Sequence, residues 1–399
     1  MGIGRGHRAR AIKGVPCRAQ TPITRDQRGR FCRESGTRCV NSPKGAFLER
    51  DTDMNRTTHR GTERVAVLQT KFTELLGCTV PLQQAGMGKL ASPALAAAVA
   101  DAGGLGMVSG IGAAPPEYVA KILDGLHRST SGVFGANFIV DGVRESGKLD
   151  ADFLKVLEVA ASRASVVEFF YEQPDAELVE IAHAGGALVS WQLGSASEAV
   201  AAERAGCDLI VAQGTEAGGH VRGKIGLMAL LGEVLPSVKV PVVAAGGIGT
   251  GRAMAAALAA GASAVRVGTR FVAAEEAGTH PAYVDKLIAA EAKDTILTEA
   301  FSANWPNAPH RVLRSCVEAV DRFQGEIVGE TSQPWAPDVR VAVHPRDSFV
   351  ADKTTTGTFD AMPLWAGESV DGVKRVQKAG EIVRELATEA EGLLRHWND

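Results

Sequence analysis

From about Val80 the chain alternates short apolar runs with longer, alanine-rich segments of helical spacing. The runs are VPLQQAG (80–86), GLGMVS (104–109), VFGANFIV (133–140), SVVEFFY (165–171), ALVSWQL (187–193), DLIVAQG (208–214), PVVAAGG (241–247) and AVRVGTRF (264–271). Runs of this length, without strict alternation, read as strands buried on both faces. The segments between them, such as SPALAAAVADAG, PPEYVAKILDGLHR and TGRAMAAALAAG, read as helices. Several open on Ser, Asp or Thr, where an N-cap belongs, and several close on Gly. Eight strands in alternation with helices predict an α/β protein of the (β/α)8 or TIM-barrel type over residues 66–293. A doubly wound sheet is the alternative, but it rarely sustains eight such regular units.

Residues 294–399 follow a different pattern. FSANWPNAPHRVLRS is rich in turn formers, whereas SVDGVKRVQKAGEIVRELATEAEGLLRHW reads as one or two amphipathic helices. A helical and irregular extension that packs at the barrel mouth and shapes a pocket is expected, with Trp305, Trp335 and Trp365 as candidate lining residues.

Charge separates off the start of the chain. Residues 1–60 carry fourteen Lys and Arg against five Asp and Glu, and little apolar periodicity. An RNA-binding arm and an organellar transit peptide are two functional readings. A disordered basic leader over residues 1–60, with Met54 as a candidate start, is preferred, because nothing in it could bury a core. The chain as a whole carries a net charge of −3, which points neither to nucleic acid nor to an acidic tail. No apolar run approaches the length of a membrane span. The six cysteines form no CxxC pair. Unpaired thiols and a cytoplasmic setting are therefore expected.

Composition then turns to chemistry. In a barrel of this type the strand-to-helix loops build the active site. QGTEAGGH (213–220) follows the sixth strand, and its three glycines precede a lone imidazole, His220. AAGGIGTGR follows the seventh strand and VGTRF ends the eighth. The backbone N–H groups of Gly246, Gly247 and Gly268, with the Thr269 hydroxyl, can approach an anion there. His220 is the candidate catalytic residue, since an imidazole with a pKa near 6.5 can take a proton or stabilise an anion. His183 is expected on a helix, and His280 and His310 in turns, as structural or solvated groups. Glu216 is either a charged rim group or a partner for His220.

These residues resemble a known family, the FMN-dependent nitronate monooxygenases, once called 2-nitropropane dioxygenases. The resemblance runs from about Leu68 to Arg314, with a looser echo in PLWAGESV. It is carried by PLQQAGMGKLASPALAAAVADAGGLGMVSG, GANFIV, AERAGCDLIVAQGTEAGGH, PVVAAGGIGTGRAMAAALAAGASAVRVGTRFVAAEE and PHRVL. It implies FMN as cofactor, with Gly86, Met87 and Gly88 along the flavin ring and Asn137 beside it. It also implies that Gly218 and Gly219 bring backbone near the flavin. Ala245, Gly246, Gly247, Gly268 and Thr269 would hold the phosphate. His220 would lie over the flavin as base or hydrogen-bond donor. The implied reaction oxidises a small alkyl nitronate with O2.

Two positions depart from the pattern. Gly86 stands where many members have proline, and this glycine form also occurs in the related flavin-dependent enoyl-acyl-carrier-protein reductases, which use NAD(P)H. Gln192 stands where many place lysine; it can hydrogen-bond the flavin but cannot neutralise its reduced anion. Two further functions therefore stay open: an NAD(P)H-dependent flavin reductase of a quinone or an enoyl thioester, and a flavin-binding protein without turnover. No nucleic-acid, membrane or metal partner is expected, and a homodimer is left open.

Overall fold

The computed structural model describes residues 67–396, together with the backbone of one short antiparallel pair, Thr24–Arg25 with Phe31–Cys32. The chain divides into two units, residues 1–62 and 63–399. Apart from that pair, the expected disordered leader over 1–60 lies outside the described residues.

The second unit is built on eight parallel strands. They are β1 (Leu82–Gln84), β2 (Gly106–Val108), β3 (Phe134–Ile139), β4 (Val166–Phe170), β5 (Leu188–Leu193), β6 (Leu209–Gln213), β7 (Val242–Ala245) and β8 (Ala264–Val267). Each lies within one of the eight apolar runs. They pair in the order β1-β8-β7-β6-β5-β4-β3-β2. The ring is joined between β1 and β2 by the Gln83–Leu105 bridge, where the Gln84 N–H donates to the Leu105 carbonyl at 2.9 Å. This is the (β/α)8 barrel expected from the alternation.

Local chemistry explains the helices that follow. Ser92, Asp150, Asp175, Ser195 and Thr250 each accept a backbone N–H of the first helical turn through their side chains. Gly186 and Gly206 end their helices at φ 98° and 99°, a left-handed conformation that costs other residues more. The apolar faces of these helices pack on the outside of the strands in one large core. Inside the barrel, Met107, Val166, Leu209, Val211 and Val243 make a smaller core, with Phe72 of the helix Lys71–Leu76 among them.

Helix placement differs from the expectation at one point. After β8 only a four-residue helix, Thr269–Val272, follows directly. The chain then builds its own apolar core from Tyr283, Leu287, Phe301, Val312, Met362 and neighbours. It returns as the helix Ala379–His396, which packs against both Gly251–Ala259 and Pro93–Asp101. The eighth place in the helical ring is thus taken by the last helix of the chain. An amphipathic pattern reports which face of a helix is buried but not the partner, so the sequence could not place it.

Two small sheets stand in the excursion. The strand His310–Leu313 is flanked by Thr295–Thr298 and by Gly219–His220 from the loop after β6. The second sheet joins Gly329–Gln333 to Ala336–Val343 and Thr356–Gly357. Among the described residues no helix is long and apolar enough to cross a membrane. No group of three or more His, Cys, Asp and Glu among them is placed to hold a metal ion.

Candidate active site: a glycine-lined cavity at the barrel mouth

A cavity of about 960 Å³ opens at the carboxyl ends of the strands. It brings together all thirteen residues singled out from the sequence. Ala245 lines it at the end of β7, Gly246, Gly247, Gly268 and Thr269 beyond β7 and β8, and Gly218, Gly219 and His220 beyond β6. Gly86, Met87 and Gly88 line it beyond β1, with Asn137 and Gln192 from β3 and β5. Trp305, Trp335 and Trp365 line it from the excursion, as expected.

The turn after β7 requires glycine. Gly246 and Gly247 have φ of 113° and 69°, a region that residues with a Cβ enter at a cost. Among the described residues no group accepts the N–H of Gly246, Gly247 or Gly268. The Thr269 hydroxyl accepts the Gly367 N–H at 3.0 Å, which leaves its own hydrogen free to donate. These donors converge without a positively charged side chain among them, a nest suited to an anion. Gly218 answers a different need, since a Cβ there would meet the Gly367 nitrogen at 2.4 Å.

His220 pairs with His310 across the small sheet and is held by its backbone, the Gln213 side-chain amide donating to its carbonyl at 2.8 Å. Its ring lies against two indoles, with centroids 4.1 Å from Trp305 and 5.3 Å from Trp365. The Ser348 hydroxyl lies 3.4 Å from Nε2. Burial, and then the nearby His310, push the His220 pKa down to about 3. The imidazole is neutral at physiological pH, and the titration near 6.5 expected from the sequence does not belong to it.

Other expectations change as well. His310 is not in a turn: it begins a strand and is fully buried. Its Nε2 accepts the Phe301 N–H at 3.1 Å and its Nδ1 lies 2.8 Å from the Ala308 carbonyl. The ring therefore fastens both ends of the loop that carries Trp305. Glu216 is neither a rim charge nor a partner of His220. Both of its carboxylate oxygens accept the Leu227 N–H, at 2.9 and 3.0 Å, at the start of the helix Leu227–Val234. His183 lies on a helix as expected and pairs with Asp208 at 2.8 Å.

The sequence missed a polar layer across the bore of the barrel. Glu168 on β4 is completely buried and accepts from Gln83 at 2.6 Å and from Asn137 at 2.9 Å. It also pairs with Arg266 on β8 at 2.5 Å. The available signal was the lone Glu of SVVEFFY and an Arg within AVRV, the apolar start of AVRVGTRF. Ser348 and His310 carried no such signal, because only the folded excursion brings them to His220. Lys89 was missed too: beside Gly88, it pairs with Asp352 at 2.9 Å and ties the turn after β1 to the excursion.

The cavity residues fit a flavin nucleotide. The nest after β7 and β8 suits a phosphate, and Gln192, which lines the cavity, has a buried side-chain oxygen without a partner. Gly86 and Gly218 line the cavity where backbone packs closely on its neighbours; a Cβ at Gly86 would meet the Asn137 side chain at 2.4 Å.

A parallel barrel with a phosphate nest after its last two strands and an imidazole at its mouth belongs to the barrel flavin oxidoreductases. The chain itself belongs to the nitronate monooxygenase family, whose model matches residues 69–389. A Staphylococcus aureus protein named "Probable nitronate monooxygenase" is 26% identical over 339 residues, covering 75% of this chain and 92% of its own length. Among solved structures, FabK from Thermotoga maritima is 29% identical with a TM-score of 0.66, covering 83% of this chain and 98% of its own. A nitroalkane oxidase from Streptomyces ansochromogenes is 30% identical with a TM-score of 0.65, covering 82% and 99%.

Proposed function

We propose that the protein is an FMN-dependent nitronate monooxygenase that oxidises small alkyl nitronates with O2. One observation carries the reading: a neutral imidazole, His220, lines the same cavity as the phosphate nest. FMN fits better than a dinucleotide because the turns after β7 and β8 close the phosphate end and no second nucleotide motif is present. When bound, FMN supplies the electron-accepting centre that no side chain here provides.

The chain's own part is binding and electrostatics. Gly246, Gly247, Gly268 and Thr269 hold the phosphate, while Gly86, Met87, Gly88, Asn137, Gln192, Gly218 and Gly219 surround the ring. A neutral His220 donates a hydrogen bond to a nitronate oxygen, where negative charge resides. With its pKa pushed down to about 3, it is a weak base toward the carbon of a neutral nitroalkane. A preformed nitronate is already deprotonated and asks no proton removal of this imidazole.

A second reading is NAD(P)H-dependent reduction of a quinone or an enoyl thioester. The size of the cavity favours it: about 960 Å³ lies at the top of the roughly 300–1,000 Å³ usual for ligand sites. Its lining also extends past the flavin residues to Val143, Phe153, Val156 and Trp335, beyond β2 and β3. The purified protein should be yellow, with one FMN per protomer, and should turn over propionate 3-nitronate without a nicotinamide. Colourless protein that takes up no added FMN sinks both readings. Rapid bleaching of the flavin by NADH or NADPH, with no nitronate turnover, selects the second.

A further inference from the structure

The polar layer across the bore has a direction. Arg266 and Glu168 sit on β8 and β4, four places apart in a ring of eight, so their ion pair spans the barrel. Arg266 lines the cavity, beside Gly86, Asn137 and Gln192, whereas Glu168 is sealed beneath it. The carboxylate is fully engaged: one oxygen takes Arg266 and Asn137, the other Gln83. The guanidinium is not. Only its Nη1 is bonded within the described residues, and its remaining N–H groups are not among the sealed, unpartnered atoms. A fixed cation thus presents unused donors to the cavity floor, in a low-dielectric site where charge acts strongly.

We propose that Arg266, held across the bore by Glu168, is the cation that sets the reduction potential of the bound flavin, supplying the charge that Gln192 cannot. This rests on the FMN reading above. The flavin gains negative charge on reduction, so a cation beside it favours the reduced form and an anion opposes it. Glu168 is the positioning residue: it orients the guanidinium and offsets part of its charge. Asn137 and Gln83 hold the carboxylate in turn.

The test is the two-electron midpoint potential of the FMN-loaded protein, measured against reference dyes. Glu168→Gln leaves the cation unopposed and should raise the equilibrium constant for reduction at least tenfold, about 30 mV. Arg266→Gln should lower it by at least as much, and Arg266→Lys should stay near the parent value. Each charge-removing variant leaves a buried charge without its partner and can fail to fold. The double variant Glu168→Gln/Arg266→Gln leaves no such charge; it should fall below the parent, by less than Arg266→Gln alone. Single variants that shift in the same direction, or a double variant at or above the parent, overturn the proposal. If the parent chain binds no FMN, the cofactor reading falls and this inference with it. Bound FMN whose potential ignores all of these substitutions overturns the inference alone.

Discussion

The two ends of the cavity are built from different materials. The proposed phosphate end is built from backbone N–H groups joined by the Thr269 hydroxyl, in two short turns contiguous with β7 and β8. At the His220 end they come from side chains: Trp305, Ser348 and Trp365 are 85 to 145 positions further along the chain. A backbone nest is specified by where glycines fall in the sequence. A side-chain cage depends on how a distant segment folds back. On the proposed reading, the glycine turns hold the cofactor whatever the substrate, while the cage around His220 selects the substrate.

Substitutions at the two ends should separate binding of the cofactor from chemistry on the substrate. The largest effect is expected at the imidazole. His220→Asn should keep its flavin but lose on the order of 10²–10⁴ in nitronate turnover, the usual cost of one essential donor or base. Steady-state rates of flavin-replete protein measure this, and an unchanged rate would make His220 structural. Next comes the nest. Gly246→Ala forces a Cβ into φ 113°, with the Gly214 carbonyl and the Ala217 nitrogen at 3.1 and 3.2 Å. Strain of roughly 1–3 kcal/mol should weaken FMN binding about 10- to 100-fold, read by fluorescence titration. Bound FMN should still support the parent turnover number. A variant that keeps its affinity but loses turnover would erase the distinction between the ends.

A smaller effect is expected from the cage. Trp305→Ala removes one face of the slot around His220 and should raise KM about 2- to 10-fold, the scale of one aromatic contact, with flavin content unchanged. Linkage to pH follows from burial of the imidazole. Its folded pKa lies below its unfolded value, so the unfolded chain takes up a proton between pH 6.5 and about 3 while the folded chain does not. Stability should fall across that window as pH falls, by at most about 1.4 kcal/mol per pH unit from this group. Replacing His220 with Asn should flatten the slope of Tm against pH there; an identical slope would show that the imidazole is protonated in the fold. The smallest effect is expected outside both ends. A chain that starts at Met54 should bind flavin and turn over as the full chain does, and loss of solubility would assign the leader a structural part.

Most of the barrel was legible because its strands are buried on both faces and punctuated by glycine. Each of the eight apolar runs contains its strand, and the thirteen residues chosen in the strands and the turns after them line one cavity. What stayed hidden depends on long-range contact. Glu168 and Arg266 look like isolated charges until the closed ring sets β4 opposite β8. His310 looks like a turn residue beside Pro309 until its strand pairs with His220. Glu216 sits close to His220 in sequence, yet the helix after β6 claims its carboxylate.

The last helix of the chain has a consequence for the order of assembly. Ala379–His396 fills the eighth place in the ring, so a chain emerging from the ribosome can form all eight strands and still have an open seam between the helices Gly251–Ala259 and Pro93–Asp101. That seam exposes the apolar faces that Ile382, Val383 and Leu386 later cover. The barrel must wait for residues more than a hundred positions beyond its last strand, and such distant closures are slow. Nascent chains of this protein should depend on chaperones until synthesis is nearly complete, and a stop codon just before Ala379 should yield aggregate rather than a smaller enzyme.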